Sequence, residues 1–132
     1  VFASAKFKAR LKEKKFKVVM IDQNCIFCKI ISGQIPAKVI KDTEQVIVIQ
    51  DLHPKAPIHY LIIPKSHVQD VQSLTSKDSW IAAKTFEVAK ELSQENPQAK
   101  DFKLVVNSGY GAGQRVFHIH THFLAGRLQG EV

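Results

Sequence analysis

Three histidines stand two residues apart, at His118, His120 and His122, in the stretch VFHIHTHFLAGR from Val116 to Arg127. Phe117, Ile119, Thr121 and Phe123 interleave with them. Apolar or β-branched residues in strict alternation predict a strand with one buried face. On such a strand the imidazoles share one face at steps of ~6.6 Å, with Phe117, Ile119 and Phe123 packing the other. Three chemistries suit that row. It could be a solvated polar face, a zinc site built on H-x-H, or an acid–base and nucleophilic site. Imidazole alone among side chains has an unperturbed pKa, ~6.5, near neutrality.

The rest of the chain narrows the choice. At 132 residues, 45% hydrophobic and 23% charged, the composition is that of one globular domain with a real core. Apolar runs such as YLIIP are strand-sized, so no membrane span is expected. The net charge of +7 invites a nucleic-acid reading, but seven of the basic residues and a single Glu fall in residues 1–19. The other 113 residues are nearly balanced, so no specific nucleic-acid partner is expected. Met20 follows this basic N-terminal segment directly. Residues 1–19 read as an added extension or upstream-start segment, a basic arm, or a transit-like segment. The domain proper is expected over residues 20–132.

The elements that must position the histidines can be read in order. CIFCKIISG predicts a short helix with Ile26, Ile30 and Ile31 on one stripe and a stop at Gly33. AKVI and QVIVIQD are β-branched strands joined by a KDTE turn, and HYLIIP is a third strand beyond the loop DLHPKAP. Leu74, Ile81, Val88 and Leu92 place a long helix over LTSKDSWIAAKTFEVAKELSQEN, with Thr75 and Asp78 as a capping box. FKLVVN is a fourth strand and the histidine segment a fifth. The expected fold is α+β: a five-stranded antiparallel meander with both helices against one side.

Between the last two strands lies NSGYGAGQR, whose Gly109, Gly111 and Gly113 let backbone N–H groups approach an anion. Alone, such a turn is a weak signal. Together with GQRVFHIHTHFLAGR, CIFCKIISGQIPAKVI, DLHPKAPIHYLIIPKSH and VVNSGYGAGQ, it resembles the histidine triad superfamily, in its HINT-like nucleotide-binding branch. The resemblance runs from about Cys25 to Arg127.

That resemblance implies a homodimer with joined sheets and a cytoplasmic purine nucleotide hydrolase of the nucleoside phosphoramidase type. His120 would be the nucleophile, forming a nucleotidyl-imidazole, with His122, His118 and His59 completing the imidazole cluster. Asn107, Gly113, Gln114 and Arg115 would lie on the phosphate side, Arg115 standing where relatives usually place Ser or Thr. Asp51 would hold the ribose hydroxyls, a role that suits an acceptor-only carboxylate. Ile26, Phe27, Ile30, Ile49 and Leu52 would form the base slot, although each also suits plain core packing. A nucleotide-binding regulatory protein with vestigial hydrolysis is the alternative.

The Cys25-x-x-Cys28 spacing suggests metal binding or redox chemistry and not a secreted disulfide scaffold. A thioredoxin-like pair, however, would follow a strand in a βαβ setting that this sequence lacks. The two cysteines read as packed thiols or as metal ligands. The resemblance implies a structural zinc on Cys25, Cys28, His67 and His118, which makes His118 an anchor and leaves His120 and His122 free. No organic cofactor is expected, and His53 should be solvated.

Overall fold

The computed structural model describes Asp22 and residues 24–128; the basic segment 1–19 and Met20 lie outside the described residues. Helix α1 spans Ile26–Ile31, followed by strands β1 (Val39–Asp42), β2 (Val46–Gln50) and β3 (Ile58–Pro64). Helix α2 spans Trp80–Glu95, and strands β4 (Phe102–Val105) and β5 (Thr121–Ala125) close the chain. The sheet is antiparallel throughout, in the order β1-β2-β3-β5-β4. It is therefore not the expected simple meander. The last strand inserts between β3 and β4, which brings the histidine segment to the middle of the sheet.

The two helices also take opposite faces, correcting the expectation that they share one. Side chains alternate across each strand. Val46, Val48, Ile58, Ile62 and Phe123 meet Val88, Ala89 and Leu92 of α2. Ile47, Ile49, Leu61 and Ile63 meet Phe27 and Cys28 of α1. The β-branched run of β2 and the largely apolar β3 are what strands covered on both sides require. On the α2 face, Phe123 stacks between Phe102 and Tyr60 at 4.8 and 6.1 Å.

The β1–β2 turn is closed by Thr43, whose backbone N–H and hydroxyl both donate to the Val46 carbonyl. The Thr75–Asp78 capping box is present but caps a 3-10 turn over Ser76–Asp78, so α2 begins only at Trp80. No helix among the described residues is long and apolar enough to cross a membrane.

The histidine strand is shorter than its alternation predicts. β5 starts at Thr121, so His118 and His120 precede it on irregular backbone. The reason is a change of partner. Thr121 and His122 pair with Ile62 and Leu61, whereas the Ile119 N–H donates to the Val68 carbonyl at 2.7 Å. Phe117 consequently does not pack beside Phe123 but is 42% exposed.

Candidate active site

Leu61 lies opposite His122, and His59 opposite Leu124, so both histidines project from the α1 face of adjacent strands. His59 Nε2 is 2.9 Å from His122 Nδ1 and 3.4 Å from Asp51 Oδ2. Asp51 follows β2; its other oxygen accepts the His53 N–H at 2.7 Å, and His53 itself is exposed. The remaining nitrogen of His59, Nδ1, accepts the backbone N–H of Lys55 at 2.9 Å.

His120 joins this group from the segment before β5. Its ring is 5.2 Å from that of His122 and meets the edge of Phe27 at 5.0 Å. His120 Nδ1 donates to the His118 carbonyl at 2.8 Å. A neutral imidazole whose Nδ1 holds the proton has its lone pair on Nε2. Burial lowers the pKa of His120, and of His59, below the usual histidine value. His122 is lowered to about 4, first by burial and then by the neighbouring His120 and His59. All three rings are thus neutral at pH 7, the state in which imidazole is a nucleophile or hydrogen-bond relay.

His118 leaves this group altogether. Its Nδ1 lies 3.4 and 3.6 Å from the sulfurs of Cys25 and Cys28 and 3.1 Å from His67 Nδ1. His67 Nδ1 is in turn 3.4 Å from the Cys28 sulfur. Cys25 caps α1, its sulfur accepting the Cys28 N–H, which places both thiols at one helix end. Hydrogen bonding from Cys28 pulls Cys25 down to about 3, while the bond to Cys25, and then burial, push Cys28 upward, so the pair holds one thiolate.

The four donors fit a zinc ion. Ligands ~2.0–2.3 Å from a tetrahedral centre lie ~3.3–3.8 Å from one another, close to the separations found here. His118 Nε2 donates to the Pro64 carbonyl at 2.7 Å, so its inward Nδ1 carries the lone pair a metal needs. A cavity of about 270 Å³, bordered by Cys25, His67, Asp22 and Arg115, leads to the cluster from one side. With both nitrogens of His118 engaged here, the three triad histidines do not converge as a metal site of their own.

The glycine turn lies beside these groups, and its side chains have unequal parts. Gln114 is 2% exposed and fully committed: Oε1 accepts the Gly109 N–H, and Nε2 donates to the carbonyls of Gln69 and Val116. It holds the turn closed. Gly113 has φ +100°, and an added Cβ would stand 3.9 Å from Asn107 Cγ. Arg115 lies 3.9 Å over the Tyr110 ring and donates through Nη1 to the carbonyls of Tyr110 and Gln114. Among the base-slot candidates, Phe27 and Ile49 are buried in the α1-face core and Ile30 packs against it. Ile26 is 44% and Leu52 86% exposed, leaving apolar surface that no core packing claims.

Sequence reasoning missed the main-chain groups at Lys55, Pro64 and Val68, which carry no side-chain signature. The one available hint was the proline-bearing loop, where Pro54 cannot offer an N–H.

Residues 24–132 match the family model described as the scavenger mRNA decapping enzyme C-terminal binding domain. The chain belongs to the histidine triad family. Protein HitA of Neisseria gonorrhoeae is 34% identical over 101 residues, 76% of this chain and 94% of that protein. A histidine triad protein from Clostridium difficile superposes with a TM-score of 0.81 at 32% identity, covering 86% of this chain and 99% of that one. A structure described as a HIT family hydrolase, from Legionella pneumophila, gives a TM-score of 0.75 at 42% identity over 80% and 95% of the two chains. Membership in this family fixes the fold independently of the strand-by-strand reading.

Proposed function

We propose that this protein is a nucleotidyl hydrolase that cleaves purine nucleoside phosphoramidates or related nucleotidyl esters through a covalent intermediate on His120. The observation that carries the proposal is the neutral, buried His120, whose Nδ1 proton is held by the His118 carbonyl. Its Nε2 lone pair attacks the phosphorus; the bond to the leaving group breaks and the electron pair departs with that group. His122, beside it, donates to a phosphoryl oxygen or the leaving atom. Water then attacks the phosphorus and gives its proton to solvent; the electron pair of the P–N bond returns to Nε2, and His120, still protonated on Nδ1, departs as a neutral ring. Relatives described as HIT family hydrolases support the reaction class.

Nucleotide recognition follows from the same surface. Asp51 takes the ribose hydroxyls, exposed Ile26 and Leu52 cover the base, and the turn at Asn107 and Gly113 faces the phosphate. Zinc on Cys25, Cys28, His67 and His118 contributes fold rigidity and takes no part in bond making. A homodimer forms across a free sheet edge, for which β4, with Phe102 36% exposed, is one candidate. A cytoplasmic location suits the free thiols of Cys25 and Cys28.

Single-turnover reaction with a radiolabelled adenosine phosphoramidate tests the chemistry. Acid-labile label on His120 is expected. Tight nucleotide binding without any adduct would instead make the protein a regulatory binder with vestigial hydrolysis.

A further inference from the structure

Beyond the nucleophile, one main-chain group governs how the neighbouring rings carry their protons. We propose that the backbone N–H of Lys55, on the loop between β2 and β3, sets the tautomers of both His59 and His122, making Lys55 a positioning residue. The inference rests on the nucleotidyl-transfer reading for its catalytic consequence, but not for its geometry.

A ring nitrogen that accepts a hydrogen bond bears no proton. Lys55 N donates to His59 Nδ1 at 2.9 Å, so neutral His59 carries its proton on Nε2. That Nε2–H is 2.9 Å from His122 Nδ1, which therefore accepts, and His122 holds its own proton on Nε2. One amide thus dictates two tautomers in series. His120 is set separately and in the opposite sense, with the proton on Nδ1. The result is a pair of adjacent rings, one offering a lone pair and the other an N–H.

Removing the amide would reverse this order. His59 could then hold its proton on Nδ1 and turn a bare Nε2 toward His122, which would shift its own proton to Nδ1. The site would then present two lone pairs and no donor for the phosphoryl oxygen. The charged and titratable groups around His59 are Asp51, the Lys55 side chain and His122; only Asp51, 3.4 Å away, can also accept from Nε2, and it favours the same tautomer. The loop is built to hold the amide still. Pro54 precedes Lys55, and His53 N–H is tied to Asp51.

The test is ¹⁵N-histidine NMR of the full chain at pH 7.5, read by two-bond ¹H–¹⁵N correlations. The wild type should show His59 and His122 protonated on Nε2 and His120 on Nδ1. Lys55→Pro, which deletes this N–H and the side chain and also fixes φ at about −65°, should give mixed tautomers at His59 and His122. It should also lower kcat on the order of 10²-fold, the usual worth of one proton donor, with KM little changed. Lys55→Ala keeps the amide and should keep all three wild-type tautomers. Nδ1 protonation of His59 in the wild type overturns the proposal, and so does a Lys55→Pro protein with unaltered tautomers. The wild-type spectrum decides even if the proline variant does not fold. It uses no substrate, so a lack of phosphoramidase activity would count against the reaction and leave this inference standing.

Discussion

Two clusters among the described residues look alike as inventories: Cys25, Cys28, His67 and His118 at the end of α1, and Asp51, just after β2, with His59 of β3 and His122 of β5. In both, the potential ligand atoms lie within 4.8 Å of one another. Their outward-facing nitrogens separate them. His118 gives its Nε2 proton to the Pro64 carbonyl, so a lone pair points inward at the thiols. His59 receives the Lys55 N–H on Nδ1, so a proton points inward at His122. A metal on His59 Nε2 would need a proton on Nδ1, donor against donor. The first cluster is arranged for a cation and the second for hydrogen bonds. The lesson is that the second partner of an imidazole, not the count of histidines, decides what it can do.

The largest effect expected from breaking this contrast is on the hydrogen-bonded side. His120→Ala should reduce kcat by at least about 10³-fold while mononucleotide affinity, measured by calorimetry, stays near wild type. Turnover like the wild type's would remove His120 from the chemistry.

On the metal side, elemental analysis should find about one zinc per chain, lost in Cys25→Ser. The melting temperature should fall by roughly 10 °C as a few kcal/mol of metal-linked stability disappears. A metal-free wild type of equal stability would reduce the cluster to packed thiols.

The third effect is graded with pH. His122 is lowered to about 4 in the fold but titrates near 6.5 when unfolded, so between those values the unfolded chain binds more protons. Stability should therefore be full above pH 6.5, decline as pH drops, and lose the His122 contribution below about 4. Thermal melts from pH 7.5 to 4 check this, and His122→Asn should flatten the slope.

A smaller effect tests whether the sheet centre is rigid enough to keep the clusters apart. Gly126 sits at φ +94°, with the Pro57 side chain 2.9 Å from any added Cβ. Gly126→Ala should cost about 1–3 kcal/mol in denaturant melts. Smallest of all, Arg115→Ser should leave nucleotide affinity unchanged at every ionic strength if the guanidinium stays on Tyr110. Weaker binding with a flatter salt dependence would place Arg115 on the phosphate.

Much of this was legible in the sequence, for physical reasons that also mark where legibility stops. β-branched runs located β1 and β2, and the seven-and-four spacing of Ile81, Val88 and Leu92 located α2, because burial imposes those periods. The residues of the Cys/His cluster were legible through the resemblance, and they do converge. Alternation could not say which face each helix covers, since β2 and β3 are apolar on both. Nor could it say that Ile119 would leave the sheet for Val68, which ends the strand before His120. Nor does the resemblance, which implies a phosphate-side position for Gln114, show that its side chain closes the turn through the Gly109 N–H and the carbonyls of Gln69 and Val116.

His118 joins the Cys/His cluster to the nucleophile through its own two ends: the side chain lies among the thiols, and the carbonyl holds the His120 ring. The groups that orient His118, His120 and His59 are a carbonyl, another carbonyl and an amide N–H, all belonging to the main chain. Alanine scanning leaves every one of them in place, and sequence drift at residues 55 and 64 passes over them. Alanine screens of this protein will therefore return a short roster of essential side chains. The wiring that makes those side chains work will show itself only to proline insertion, amide-to-ester replacement and ring-nitrogen spectroscopy.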